Sequence, residues 1–142
     1  MGERKLGIAD YPLAEKRPDL IAGRRGKKLD DITLDGLVAG EVALEDLRIT
    51  PEALRMQAEI ARAAGRPMLA ENFLRAAELV DVPQDVVMAV YELLRPGRAK
   101  DKAPLLEAAR KLREEHKADR MARFVEEAAA VYERRGLFTY RF

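Results

Sequence analysis

The sequence predicts an all-α fold, a compact bundle of about five main helices preceded by an extended N-terminal arm. Three observations carry this prediction. Apolar residues recur at helical spacing through most of the chain, helix start and stop residues bracket those stretches, and no stretch alternates apolar and polar as a half-buried strand does. The composition agrees: of 142 residues, 48% are hydrophobic, 36% are charged and 6% are aromatic, a balance suited to an Ala- and Leu-rich globular chain rather than a disordered one. At this length one domain with its own core is expected.

The arm comes first. "ADYPLAEKRPDL" (9–20) holds two prolines and five charges and fits neither a helical nor a strand period. "GRRGKK" (23–28) follows as a basic, turn-prone stretch. Residues 1–28 are therefore read as an arm and basic turn, and residues 29–142 as the helical domain. A short helix is expected after Thr33 as N-cap, with Leu34, Leu37 and Val38 facing inward and Gly40 ending it. "EVALEDLRI" (41–49) reads as a further helical turn. The clearest helix follows Thr50, with Pro51 at its first position, Glu52 at the positive end of its dipole and Gly65 as its left-handed stop. Arg66-Pro67 restarts a helix at once, so an αα-hairpin or a sharp corner is expected, with Leu69, Phe73, Ala76 and Val80 along one stripe. Pro83 opens the next, turning Val86, Val90, Leu93 and Leu94 inward, and "RPG" (95–97) closes it. After a polar link, Pro104 begins a helix that buries Leu105, Ala109 and Leu112. The last, about 118–135, aligns Met121, Val125, Ala128 and Tyr132 and stops at Gly136.

Charge and composition exclude several functions. There is no Cys, which removes disulfides, thiolate nucleophiles and Cys-based metal sites and fits a reducing cytoplasm. No apolar run approaches a membrane span, and "MGERKLGIADYP" lacks the apolar block of a signal peptide and the myristoylation pattern. The net charge of +1 conceals an asymmetry: +4 over residues 1–28, −8 over 29–94 and +5 over 95–142. Such segments either pair internally, meet complementary patches on a partner, or form an ordinary solvated surface.

A catalytic centre is not legible. The one His, His116, sits at the rim of its helix, and Glu114, Glu115 and Asp119 around it offer no recognised ligand spacing. The pairs Asp30-Asp31, Glu45-Asp46 and Glu126-Glu127 are adjacent, point apart on a helix, and read as solvated surface. No phosphate-binding loop or dinucleotide fingerprint occurs. Arg24, Arg25, Lys27 and Lys28 form a basic patch, but a pI near 8.0 and the lack of interleaved aromatics weigh against nucleic acid. Catalytic, cofactor-binding and metal-binding residues are thus all read as none. A helical protein- or nucleic-acid-binding module without enzyme activity is the alternative to the reading that follows.

"DYPLAEKRPDLI" (10–21) and the continuous run from "GKKLDDITLDG" to "AAELVDVP" (26–83) closely resemble the small subunit of adenosylcobalamin-dependent diol dehydratase and glycerol dehydratase. The most specific pieces are "YPLAEKRP", "LRITPE", "AGRP" and "NF-RAAEL". The likeness continues more loosely through "VYELLRP" (90–96) and "FVEEAAAVYERR" (124–135), while the tail "GLFTYRF" departs from the Lys-rich end of the family. The resemblance implies a complex of two copies each of large, medium and small subunits, located in the cytoplasm, with encapsulation in a bacterial microcompartment left open. It implies that substrate and metal lie in a large TIM-barrel subunit and adenosylcobalamin between the large and medium subunits, so that this chain is a structural subunit. On that footing the arm lies along the large subunit with Tyr11, Pro12 and Leu13 as interface anchors; an arm folded over its own helices is the alternative.

Overall fold

The computed structural model describes residues 5–139, and among these the regular structure is all helical, with one isolated bridge, Ala22 to Lys28, and no strand. Five helices of eleven residues or more carry the fold, as expected. The contacts part the chain between Val80 and Asp81 into two compact units.

The first unit begins with a correction. Residues 8–20 are not extended. They form a 3₁₀ turn (Ile8–Asp10), a single α turn (α1, Leu13–Lys16) and a second 3₁₀ turn (Pro18–Leu20). Each turn is closed locally: the Asp10 carboxylate accepts from the Gly7 N–H at 2.9 Å, and Pro18 occupies the first position of its turn. What folds the segment back is burial. Leu6 and Leu13 pack with Ile60, flanked by Leu20, Ile21 and Met56, and the Leu6 N–H donates to Glu59 at 3.1 Å. Leu6 and Leu13 belong to no periodic stripe, so pattern reading does not register them as core.

Next comes α2 (Leu34–Val38), capped as expected by the Thr33 hydroxyl, which accepts from the Gly36 N–H at 3.0 Å. Gly40, at a φ of 76°, turns the chain out of it. A 3₁₀ turn at Leu44–Leu47 follows. Then α3 (Pro51–Ala63) starts where expected, with the Thr50 hydroxyl accepting from the Ala53 N–H at 3.1 Å. Gly65 reverses the chain at a φ of 71°, and α4 (Pro67–Leu79) folds back on α3. The hairpin closes through Ala58, Ala61 and Ala70, with Leu69, Phe73 and Leu74 flanking. The expected stripe on α4 is therefore displaced. Ala70 and Ala77 are the buried positions, while Leu69, Phe73, Ala76 and Val80 are only half-buried.

In the second unit α5 (Gln84–Leu94) buries Val90, with Val86, Leu93 and Leu94 half-buried, and Gly97 ends its turn at a φ of 81°. The helices α6 (Ala103–Glu114) and α7 (Asp119–Arg134) form a second hairpin. Leu105, Ala109 and Leu112 are buried as expected. On α7 the buried face is Ala122, Val125 and Ala129, continued from Ala118 before the helix, and not the Met121, Val125, Ala128, Tyr132 stripe. Tyr132 instead lies at the edge, where its hydroxyl donates to the Leu94 carbonyl and its ring meets Phe138 edge-on at 6.1 Å between centroids.

Candidate subunit interface

With no catalytic cluster legible in the sequence, the functional surface is found by asking which side chains the fold leaves unspent. The carboxylates are mostly spent. Asp10 closes its own turn and pairs with Arg17 at 3.5 Å, and Glu59 holds the Leu6 amide, so the cleft they line with Lys5 serves the backbone. Arg113 binds Glu126 through two bonds of 2.7 and 2.9 Å and Asp119 through a third of 2.9 Å. Those hydrogen bonds hold Glu126 and Asp119 below their ordinary pKa values. Among the described residues no group of three or more His, Asp or Glu side chains could hold a metal ion. His116 is half-buried in the turn after α6.

One carboxylate departs from its expected place. Asp46, read from the sequence as solvated surface, has a fully buried side chain. The Arg25 guanidinium reaches it with both Nε, at 2.8 Å, and Nη2, and that same Nη2 donates to the Glu41 carbonyl at 3.2 Å. The Ala43 N–H donates to Asp46 at 2.8 Å. These bonds, the Arg25 bond foremost, lower the Asp46 pKa from 3.8 to about 2. Gly23 lies directly against the Asp46 backbone, where a Cβ would stand 2.8 Å from its carbonyl oxygen. The "GRRGKK" turn, closed by the Gly23 N–H to Lys27 carbonyl bond of 2.8 Å, is thus a clamp on residues 41–46. Arg25, a member of the basic patch, is an internal ligand.

The clamp has a consequence for acid stability. A carboxylate whose folded pKa lies below its unfolded value adds stability that is complete above the unfolded value and is lost as pH falls towards the folded one. Between about pH 4 and pH 2 the wild-type chain therefore loses stability through Asp46. Asp46→Asn removes that part of the pH dependence and lowers the melting temperature at pH 7. Thermal melts of both chains from pH 7 down to pH 2 check this. Parallel curves overturn the assignment.

The interface residues named from the sequence separate. Tyr11 is 58% exposed and lines a shallow groove of about 280 Å³ with Ile8, Gln57, Ile60, Leu69 and Phe73. Pro12 is half-buried. Leu13, at 2% exposure, spends its surface inside its own chain and has little left to offer a partner.

Sequence reasoning missed a larger apolar surface. Leu34, Leu37 and Val38, expected to face inward, are 75%, 51% and 81% exposed. Leu44, Leu47 and Ile49 are exposed as well. A helix of five residues has too little length to bury one face and turn another to water, and here Gly36 is the position that packs, against Val42. The available signal was density: large aliphatics crowd residues 29–49 around two turns too short to bury them.

The comparisons with known proteins agree on one family. The family model for the dehydratase small subunit matches residues 6–139. The chain is 48% identical over 125 residues to the propanediol dehydratase small subunit of Citrobacter freundii, covering 88% of this chain and 72% of that one. It is 46% identical over 129 residues to the propanediol dehydratase small subunit of Salmonella typhimurium, covering 91% and 74%. A likeness this long and this even, on a helical chain whose carboxylates serve its own structure and whose aliphatic surface is left open, places the chain in the dehydratase small-subunit family.

Proposed function

We propose that this chain is the non-catalytic small subunit of an adenosylcobalamin-dependent dehydratase that converts 1,2-diols or glycerol to aldehydes. The observation that carries the reading is the match of residues 6–139 to the dehydratase small-subunit family, together with the likeness to two propanediol dehydratase small subunits over 125 and 129 residues. The bound cofactor supplies the radical that starts hydroxyl migration and loss of water. This chain's part is to bind and stiffen the large subunit, which with the medium subunit holds substrate, metal and cobalamin in a complex of two copies each. A radical reaction needs a rigid, water-shielded cavity, and a helical subunit can support one without touching the substrate. Tyr11 and Pro12 contact the large subunit, with Leu13 holding their turn from beneath. The complex works in the cytoplasm, free or within a microcompartment.

Co-expression tests this. The chain elutes from gel filtration with the large and medium subunits in equal numbers, and alone it self-associates or melts early, as expected of a subunit from an obligate interface of about 2,000 Å² or more. A stable monomer that ignores both partners overturns the reading. In the assembled complex His116→Ala leaves turnover of 1,2-propanediol within a few-fold of wild type. A loss beyond about a hundredfold with assembly intact, the size of removing a general acid or base, reveals a catalytic role.

A further inference from the structure

We infer that residues 34–49 form a preorganised docking face for the large dehydratase subunit, and that the Arg25–Asp46 clamp holds its two aliphatic turns in place. The inference rests on the reading above for its partner; the face itself comes from the fold. Half of the exposed large hydrophobics among the described residues fall between Leu29 and Ile49, a small fraction of the chain. Scattered exposed leucines are ordinary, but this density on one segment marks an interaction surface.

The segment is held, not loose. Leu34, Leu37 and Val38 ride on α2, and Leu44 and Leu47 on the 3₁₀ turn that follows. The two are joined beneath by the Gly36 carbonyl, which accepts from the Glu41 N–H at 2.8 Å and the Val42 N–H at 3.2 Å. Buried Val42 and Asp46 anchor the connection, and Arg25 bridges the Glu41 carbonyl to the Asp46 carboxylate. An aliphatic surface fixed in this way loses little conformational freedom on binding, so more of its burial appears as affinity.

Charge selects the occupant. Exposed Asp30, Asp31, Asp35, Glu41 and Glu45 are interleaved with the aliphatics, against Arg48 in the segment and Arg24 and Lys28 beside it, so the rim stays acidic on balance. A second copy of this chain would set that acidic rim against itself, which is repulsive. The complementary partner is an apolar surface rimmed by Arg and Lys, and on the reading above we assign that surface to the large subunit.

Reconstitution of the three-subunit complex from a limiting mixture of large and medium subunits tests the face. Val38→Asp with Leu44→Asp raises the concentration of this chain needed for half-maximal reconstitution at least tenfold, the size of losing an interface hot spot. Met68→Asp, at an equally exposed position outside the face, leaves it unshifted. Far-UV circular dichroism checks folding of each variant. Because the chain has no Cys, a second measurement needs no charged substitution: Val38→Cys, Leu44→Cys or Met68→Cys is labelled with an environment-sensitive fluorophore. On adding the large subunit the probes at 38 and 44 shift to the blue and the probe at 68 does not. Unshifted reconstitution together with unshifted probes, in a wild-type chain that assembles, overturns the face and leaves family membership standing. A wild-type chain that joins neither subunit overturns the functional reading and this inference with it. A homodimer dissolved by the same aspartates assigns the face to a second copy and overturns the occupant.

Discussion

Leu112→Ala lowers the stability of the second unit by about 2–5 kcal/mol, the range for emptying a leucine site in a packed core. Leu112 is 1% exposed and shares the α6–α7 core with Leu105 and Val125, both fully buried. The other buried residues of the hairpin are alanines at 109, 118, 122 and 129, whose methyl groups cannot reach into a vacated volume. The cavity therefore stays open, which favours the upper part of the range. Native proteins of this size hold only about 5–15 kcal/mol in total, so one truncation removes a large share. For a cooperative unit of this length the melting temperature falls by roughly 10 °C or more. The exposed ion pairs on the same helices, such as Arg110 with Glu107 and Glu114, cannot compensate, because pairs of this kind contribute under about 1 kcal/mol each. Urea denaturation followed by circular dichroism, with hydrogen exchange locating the loss to α6 and α7, measures the effect. A change below about 1 kcal/mol shows that the two helices are not held by this core.

Leu13→Ala is the second large effect, and it separates two neighbours that the sequence places in one anchor. Leu13 is buried with Leu6 and Ile60, so its truncation opens a cavity and costs the first unit about 2–4 kcal/mol. Tyr11→Ala, at a side chain more than half exposed, leaves stability within about 0.5 kcal/mol of wild type. Assembly reverses the contrast. Tyr11→Ala weakens association with the large subunit in proportion to the contact it loses, whereas Leu13→Ala weakens it only as far as the first unit unfolds, and cooling restores it. Lys16→Ala, exposed on α1, changes neither. Deleting residues 1–20 removes Leu6 and Leu13 together and the amide held by Glu59, so α3 loses its cover and the melt broadens or falls. Equal melting temperatures for Leu13→Ala and Tyr11→Ala return the whole segment to the surface.

How much of this was legible beforehand depends on whether a feature is local. Helix boundaries are local. Thr33 and Thr50 cap where expected, Pro51 and Pro67 open their helices, and Gly40, Gly65, Gly97 and Gly136 reverse the chain at positive φ. A hydroxyl three residues from an orphan N–H, or a residue without a Cβ, needs no tertiary partner to act. The order of the family's motifs was also readable, and the match over residues 6–139 agrees with it.

Burial is not local. Weighing residues by apolar bulk chose Met121 and Tyr132 on α7 and Leu69 and Phe73 on α4, but the helices approach through Ala122 and Ala129 and through Ala70 and Ala77. Where two helices come close, a methyl group fits the seam and a large side chain is displaced to its edge. The same reasoning turned Leu34, Leu37 and Val38 inward, although α2 is too short to present a face to the core and the core contact falls to Gly36. It left Asp46 in water, because its partner Arg25 stands twenty-one residues earlier in the chain. It extended residues 9–20, because Leu6 and Leu13 find their stripe only on Ile60 of another element. By itself the sequence determined the helices, their ends and the family; the tertiary structure decided which face each helix buries, since that depends on how closely a partner distant in sequence can approach.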